Sequence, residues 1–201
     1  DHISGFVLFD NEVFKTTNGG YNWFLASMIQ KRCDDINFIN INTGFAVGGV
    51  VIDKSSQSSW VYKTTNSGLN WIDLPVPELG PIPKVQFING NTGYISTLSN
   101  MYKTTNNGLN WNVIIIPASA DKVTDFIFFD ENTAYAGTYN SYFLKTTNGG
   151  INWNSVIIPY TTFNSYSGII SMYFTNLSQG FILMHDHMLL KTENGGLNWT
   201  G

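Results

Sequence analysis

Lys15-Thr-Thr-Asn-Gly-Gly-Tyr-Asn-Trp23 returns four times along the chain: KTTNSGLNW from Lys63, KTTNNGLNW from Lys103, KTTNGGINW from Lys145 and KTENGGLNW from Lys191. The nonapeptide reads as the corner of a β-hairpin. Lys-Thr-Thr, with Thr16 in the first copy, finishes a strand, Asn and Gly form the turn, and Asn-Trp opens the return strand. Asn18, like Asn66, Asn106, Asn148 and Asn194, tolerates a left-handed backbone and can bond its own main chain. Gly20, Gly68, Gly108, Gly150 and Gly196 never vary, because glycine supplies a positive φ without steric cost. The position between Asn and this glycine is Gly, Ser, Asn, Gly and Gly, a tolerance that predicts a solvent-facing side chain. Trp23, Trp71, Trp111, Trp153 and Trp199 are the largest apolar side chains of their repeats, and a buried indole N–H needs a partner. All five are expected to be packing anchors beneath the turn.

The motif lysines lie 48, 40, 42 and 46 residues apart, a period that suits a four-stranded unit with short turns. Upstream of the last four copies stand short apolar runs sharing Phe38, Phe87, Phe128 and Phe174; Gly44, Gly93, Ala134 or Gly180 follows six residues later and opens a second strand. In order, the strands are A (the apolar run), B (the Gly-aromatic run), C (ending in Lys-Thr-Thr) and D (from the Trp). Strand A, apolar on both faces, is expected innermost. The reading is an all-β fold: β-propeller blades of four antiparallel strands in one domain over 1–201, with approximate repeats 1–30, 31–78, 79–118, 119–160 and 161–201. The first unit opens at strand B and the last stops just inside strand D. The expectation is therefore a segment of a larger or unclosed propeller, or one whose open ends another chain or subunit covers.

Spacing also separates two edges. Phe to Gly is always six residues and Lys to Trp always eight, so the A-to-B and C-to-D turns are fixed. Gly to Lys runs 10, 19, 10, 11 and 11, and Trp to the next Phe 15, 16, 17 and 21, so the B-to-C and D-to-A connections absorb all variation. In an up-and-down blade these emerge together, and repeat proteins carry binding insertions on one face. The candidate recognition residues there are Asp10, Glu12, Asp53, Trp60, Tyr139, Tyr160, Phe163 and Tyr166. The aromatics fit sugar or protein contacts, or equally serve as clamps holding long loops to the scaffold.

Composition narrows the function. Net charge is −4, with charged residues only 12% and 24 asparagines against 14 acids. No basic patch is available for phosphates, which disfavours nucleic acid. No apolar run reaches the ~18 residues of a membrane span. Cys33 is the sole cysteine, so no intrachain disulfide forms. Low charge with abundant Asn and Thr points to a secreted or cell-surface protein.

The nonapeptide, as Thr16-x-Asn18-x-Gly20-x-x-Trp23, resembles the Asp-box or BNR repeat, with Asn where that family prefers Asp. With the Phe and Gly-aromatic elements, the chain is most similar to the repeats of photosystem II assembly and stability factors and related bacterial surface proteins. The resemblance implies a propeller and a structural role for the box; Asn keeps the carbonyl that accepts main-chain bonds, so the turn should survive without the charge. Resemblance to sialidases would imply three substrate-binding arginines, whereas Arg32 is the only arginine present. A glycosidase needs two carboxylates across a cleft, and nothing in the sequence pairs the acids. His185-Asp-His187 has a spacing compatible with metal ligation, without an evident third ligand. No cofactor motif is present. The sequence reading is a non-catalytic binding or scaffold module presenting variable loops to a protein or glycan. The alternative is part of a carbohydrate-active hydrolase whose cleft is completed by other segments.

Overall fold

The computed structural model describes residues 3–53, 56–76, 79–98, 100–158 and 168–201. All its regular structure is β-strand, in five antiparallel sheets that form the blades of a β-propeller. The first sheet is β1 (Gly5–Phe9), β2 (Glu12–Thr16) and β3 (Phe24–Met28); the second is β4 (Asp35–Phe38), β5 (Gly44–Val51), β6 (Gln57–Thr64) and β7 (Ile72–Leu74). The third holds β8 (Lys84–Phe87), β9 (Gly93–Ser96), β10 (Met101–Thr104) and β11 (Asn112–Ile114). The fourth holds β12 (Val123–Phe128), β13 (Ala134–Thr138), β14 (Tyr142–Thr146) and β15 (Asn154–Ile157), and the fifth β16 (Ile169–Phe174), β17 (Gly180–Met184) and β18 (Leu189–Thr192). The first sheet thus carries strands B, C and D, and in the last only a bridge between Lys191 and Thr200 stands for strand D. By contact density the chain divides into two compact units, Asp1–Leu98 with Tyr102–Asn112, and Ser99–Met101 with Val113–Gly201.

The repeated corner is held by side chains. Thr16 Oγ1 donates to Asn18 Oδ1 at 2.9 Å and accepts the Gly20 N–H at 3.0 Å, while Asn22 N–H donates to Asn18 Oδ1 at 3.0 Å. The same three bonds recur around Asn66, Asn106, Asn148 and Asn194. A carbonyl oxygen suffices for this role, which is why neutral Asn serves. The left-handed backbone falls elsewhere than expected. It belongs to the variable position (Gly19, Ser67, Asn107, Gly149 and Gly195, φ 61 to 71°) and to the glycine after it, not to Asn18 or its counterparts. Gly, Ser and Asn alternate there because the backbone selects small residues that tolerate positive φ, more than because the side chain meets solvent. The main-chain N–H of that position donates at 2.7 to 2.9 Å to a carbonyl upstream: Ile3, Asn42, Asn91, Asn132 and Ser178 in turn.

The tryptophans depart from a uniform anchor role. Trp111 and Trp199 are buried and Trp71 and Trp153 half-buried, but Trp23 is 43% exposed. The cause is that each corner rests on the sheet before it. Gly68 lies against Val13, Gly108 against Leu74, Gly150 against Ile114 and Gly196 against Phe143, whereas Gly20 meets only its own Trp23.

Strand A also differs from a purely apolar strand. Asp35 Oδ2 accepts the Val85 N–H at 2.8 Å and Asn37 Oδ1 the Phe87 N–H at 2.9 Å, so β4 is joined to β8 by side chains. In the second unit Asp125 Oδ2 accepts the Met172 N–H at 2.7 Å in the same way. The polar residues of strand A thus satisfy main-chain donors of the next sheet, which no ladder could reach. Beside them the shared phenylalanines stack on the preceding sheet, Phe38 on Phe6 at 3.5 Å and Phe87 on Phe45 at 3.4 Å between ring centroids.

Candidate recognition edge

The fixed turns are fixed in the structure. The A-to-B turns are 39–43, 88–92, 129–133 and 175–179, and the C-to-D corners 17–23, 65–71, 105–111 and 147–153. The variable connections leave the opposite ends of the strands and are bonded to one another within each unit. In the first unit, Ile29 N–H donates to Asn11 O at 2.8 Å and Cys33 N–H to Asp10 O at 3.0 Å, tying a D-to-A connection to a B-to-C turn. In the second, Tyr139 N–H donates to Lys122 O at 2.9 Å, Asn140 Nδ2 to Ser119 O at 2.8 Å and Ile158 N–H to Ser141 O at 3.0 Å.

Trp60 belongs to β6 instead of a loop. The long insertion after Gly44 lengthens β5 and β6 to eight residues each, in a hairpin where Trp60 pairs with Gly48. Its ring is 8% exposed, its indole N–H donates to Arg32 O at 2.7 Å, and Lys31 Nζ lies 4.9 Å from the ring centroid. A Cβ on Gly48 would stand 2.6 Å from that indole nitrogen, so Gly48 is the vacancy the ring occupies. The Gly48-Gly49 pair inside a strand was the available signal of this close approach. Trp60 is therefore a clamp on the D-to-A connection. Burial beneath it pushes the Cys33 thiol up to about 12, which keeps it protonated at neutral pH and unreactive.

Asp10 is exposed and Glu12 half-buried at the first B-to-C turn, and Asp53 is exposed at the tip of the long hairpin. Arg32, within the variable D-to-A connection over 30–35, lies between two acids, with Nε 3.5 Å from Asp10 and Nη2 3.8 Å from Asp34. They rim a groove of about 610 Å³ whose other lining includes Phe6, Leu8 and Ile36. Tyr139 is half-buried and makes an edge contact with His185 at 5.5 Å. His185 and His187 are exposed, and no group of three or more His, Cys, Asp or Glu side chains could hold a metal among the described residues. Tyr160, Phe163 and Tyr166 lie outside the described residues.

Searches against protein-family profiles and among curated proteins by sequence find no match. Solved structures do match. A structure of YCF48 bound to D1 peptide aligns over 100% of this chain and 65% of its own, with TM-score 0.68 and 18% identity. YCF48 from Cyanidioschyzon merolae aligns over 94% and 66%, with TM-score 0.68 and 13% identity. An ancestral GH74 enzyme aligns over 100% of this chain but 30% of its own, with TM-score 0.70 and 18% identity. The chain thus spans about two thirds of the YCF48 structures and under a third of the enzyme. No helix among the described residues is long and apolar enough to cross a membrane. At these identities the likeness shows the fold, a β-propeller that binding proteins and a glycoside hydrolase both use.

Proposed function

We propose that the chain is a non-catalytic binding module that presents its variable connections to a protein partner, with a glycan as the other ligand class. The observation that carries this reading is the bonding of B-to-C turns to D-to-A connections within each unit, which makes the variable edge of each unit a preorganised surface. In the first unit Arg32, its flanking acids and Asp53 supply charged contacts there, and in the second unit Tyr139 supplies an aromatic one. Support comes from YCF48, whose structure holds a D1 peptide on the same fold. Low charge and the neutral Asn-rich surface support a secreted or cell-surface setting.

A hydrolase is the second reading, and Asp10 with Asp34 on one groove is the observation that favours it. Arg32 lies between them, 3.5 Å from Asp10 and 3.8 Å from Asp34, an arrangement that suits a charged contact surface better than two carboxylates facing each other across an open cleft. The test is paired. Peptide-display selection on the protein should enrich sequences whose binding falls with Arg32→Ala or Tyr139→Ala and survives Leu109→Ser on the fixed edge. Reducing-end release from neutral polysaccharides that disappears in both Asp10→Asn and Asp34→Asn would overturn the non-catalytic reading.

A further inference from the structure

Five Asn-Gly pairs occur in the chain: Asn18-Gly19, Asn89-Gly90, Asn107-Gly108, Asn148-Gly149 and Asn194-Gly195. Asn-Gly is the dipeptide in which a main-chain amide nitrogen most easily approaches the preceding side-chain carbonyl, because glycine has no Cβ to obstruct it. In four of the five that nitrogen is held. Gly19, Gly149 and Gly195 donate to Ile3, Asn132 and Ser178 carbonyls at 2.7 to 2.8 Å, and Gly108 donates to Thr104 Oγ1 at 3.0 Å. Gly90 is exposed, nothing lies within 4 Å of the place its Cβ would take, and its N–H has no protein acceptor among the described residues.

The Asn89 amide is meanwhile set up as an electrophile. Its Oδ1 accepts main-chain N–H bonds from Asn91 at 2.9 Å and Thr92 at 2.8 Å. Two donors fixed on a carbonyl oxygen stabilise the charge that develops there when a nucleophile adds, as in an oxyanion hole. We propose that the turn at Asn89-Gly90 is a site of self-catalysed deamidation, to which the four corner Asn-Gly pairs are closed. The deprotonated Gly90 nitrogen forms a bond to Asn89 Cγ, and the Cγ–Nδ2 bond breaks. Nδ2 leaves as ammonia with a proton from solvent, and the product is a succinimide. Water then opens either ring carbonyl, giving aspartate or isoaspartate with no change of oxidation state.

Two sister turns frame the proposal. Asn40 Oδ1 accepts from Asn42 and Thr43 at 2.9 and 2.8 Å, so it has the same donors, but β-branched Ile41 follows and crowds the attacking nitrogen. In the fourth sheet the position is already an acid. Asp130 Oδ1 accepts from Asn132 and Thr133 at 2.7 Å, and those bonds hold its carboxyl below the usual range, so this turn stabilises the aspartate product. The isoaspartate product instead lengthens the main chain next to Asn91, whose carbonyl holds the Asn107 N–H of the corner at 2.9 Å.

The test is incubation of the folded protein at mildly alkaline pH with site-resolved peptide mass spectrometry and isoaspartate detection. Asn89 should convert at least about tenfold faster than Asn40 and than each corner Asn. Ile41→Gly should bring Asn40 to within about threefold of Asn89, and Gly90→Ile should abolish conversion there. In urea all five pairs should convert at similar rates. Equal rates at Asn89 and the corners in the folded protein would overturn the proposal, as would an intact Asn89 when the corners have converted.

Discussion

Two copies of one nine-residue motif behave differently. At Lys15 to Trp23 the hydrogen bonds of the corner are complete and yet the indole is 43% exposed; at Lys103 to Trp111 the same bonds hold and the indole is 9% exposed. The turn is therefore local, made by Thr, Asn and Gly within the motif, whereas the anchor needs strand A of its own sheet and the sheet before it. Trp111 rests edge-on against Phe87 of its own sheet, and its glycine lies under Leu74 of the preceding one. Trp23 finds no such layer among the described residues. The difference teaches that repeat identity guarantees conformation but not burial.

The largest effect should separate the tryptophans. Trp111→Ala should destabilise by about 3 to 5 kcal/mol through lost transfer energy and a cavity, while Trp23→Ala should cost under ~1 kcal/mol. Urea titration of the two variants checks this, and equal costs would mean that the neighbouring sheet contributes nothing. The glycines give a second contrast. A Cβ on Gly196 would lie 2.1 Å from Phe143 Cε1 at φ 84°, while one on Gly20, at φ 91°, would meet nothing closer than 3.7 Å. Gly20→Ala should cost ~1 to 2 kcal/mol from backbone strain alone, and Gly196→Ala about 1 to 3 kcal/mol more from overpacking. Thermal melts compared pairwise would show a single shift if only the backbone mattered.

A finer test concerns the indole N–H. Trp71 Nε1 donates to Ser27 Oγ and Gly68 O, each at 3.1 Å, while Trp111, Trp153 and Trp199 bury theirs without a partner among the described residues. Ser27→Ala should cost about 0.5 to 1.5 kcal/mol, and Trp71 fluorescence should respond, since the sheet before it supplies that acceptor. The smallest effect is a pH dependence. Asp130 has its carboxyl held down by N–H bonds, so its contribution is present above the unfolded carboxylate range and is lost as pH falls through the folded value. Cys33 has the opposite sign: its stabilisation is complete below the unfolded thiol value and is lost as pH rises toward about 12. An alkylating reagent at pH 8 should leave Cys33 unlabelled until urea unfolds the protein, and rapid labelling of the native chain would contradict its burial.

Much of this was readable in the chain. Fixed spacings from Phe38 to Gly44 and from Lys63 to Trp71 gave rigid turns, and variable spacings gave the opposite edge, because turn length is a local property of the backbone. Trp60 was not readable as a clamp, since its acceptor, Arg32 O, is 28 residues away and its cavity is a glycine on another strand. Asp35 and Asn37 were equally hidden: each bonds a main-chain N–H 50 residues on, a distance that no periodicity encodes. The variable spacing already placed Arg32 on the candidate edge, but its position between Asp10 and Asp34 is a matter of tertiary structure.

The sequence alone determined the strands, their order within each sheet and the hydrogen-bonded corner, since these depend on residues within one repeat. Tertiary structure decided which tryptophans are buried and which polar side chains join one sheet to the next. Burial and hydrogen bonding at those places are set by atoms of a neighbouring repeat, and near-identical motifs diverge when their neighbours differ.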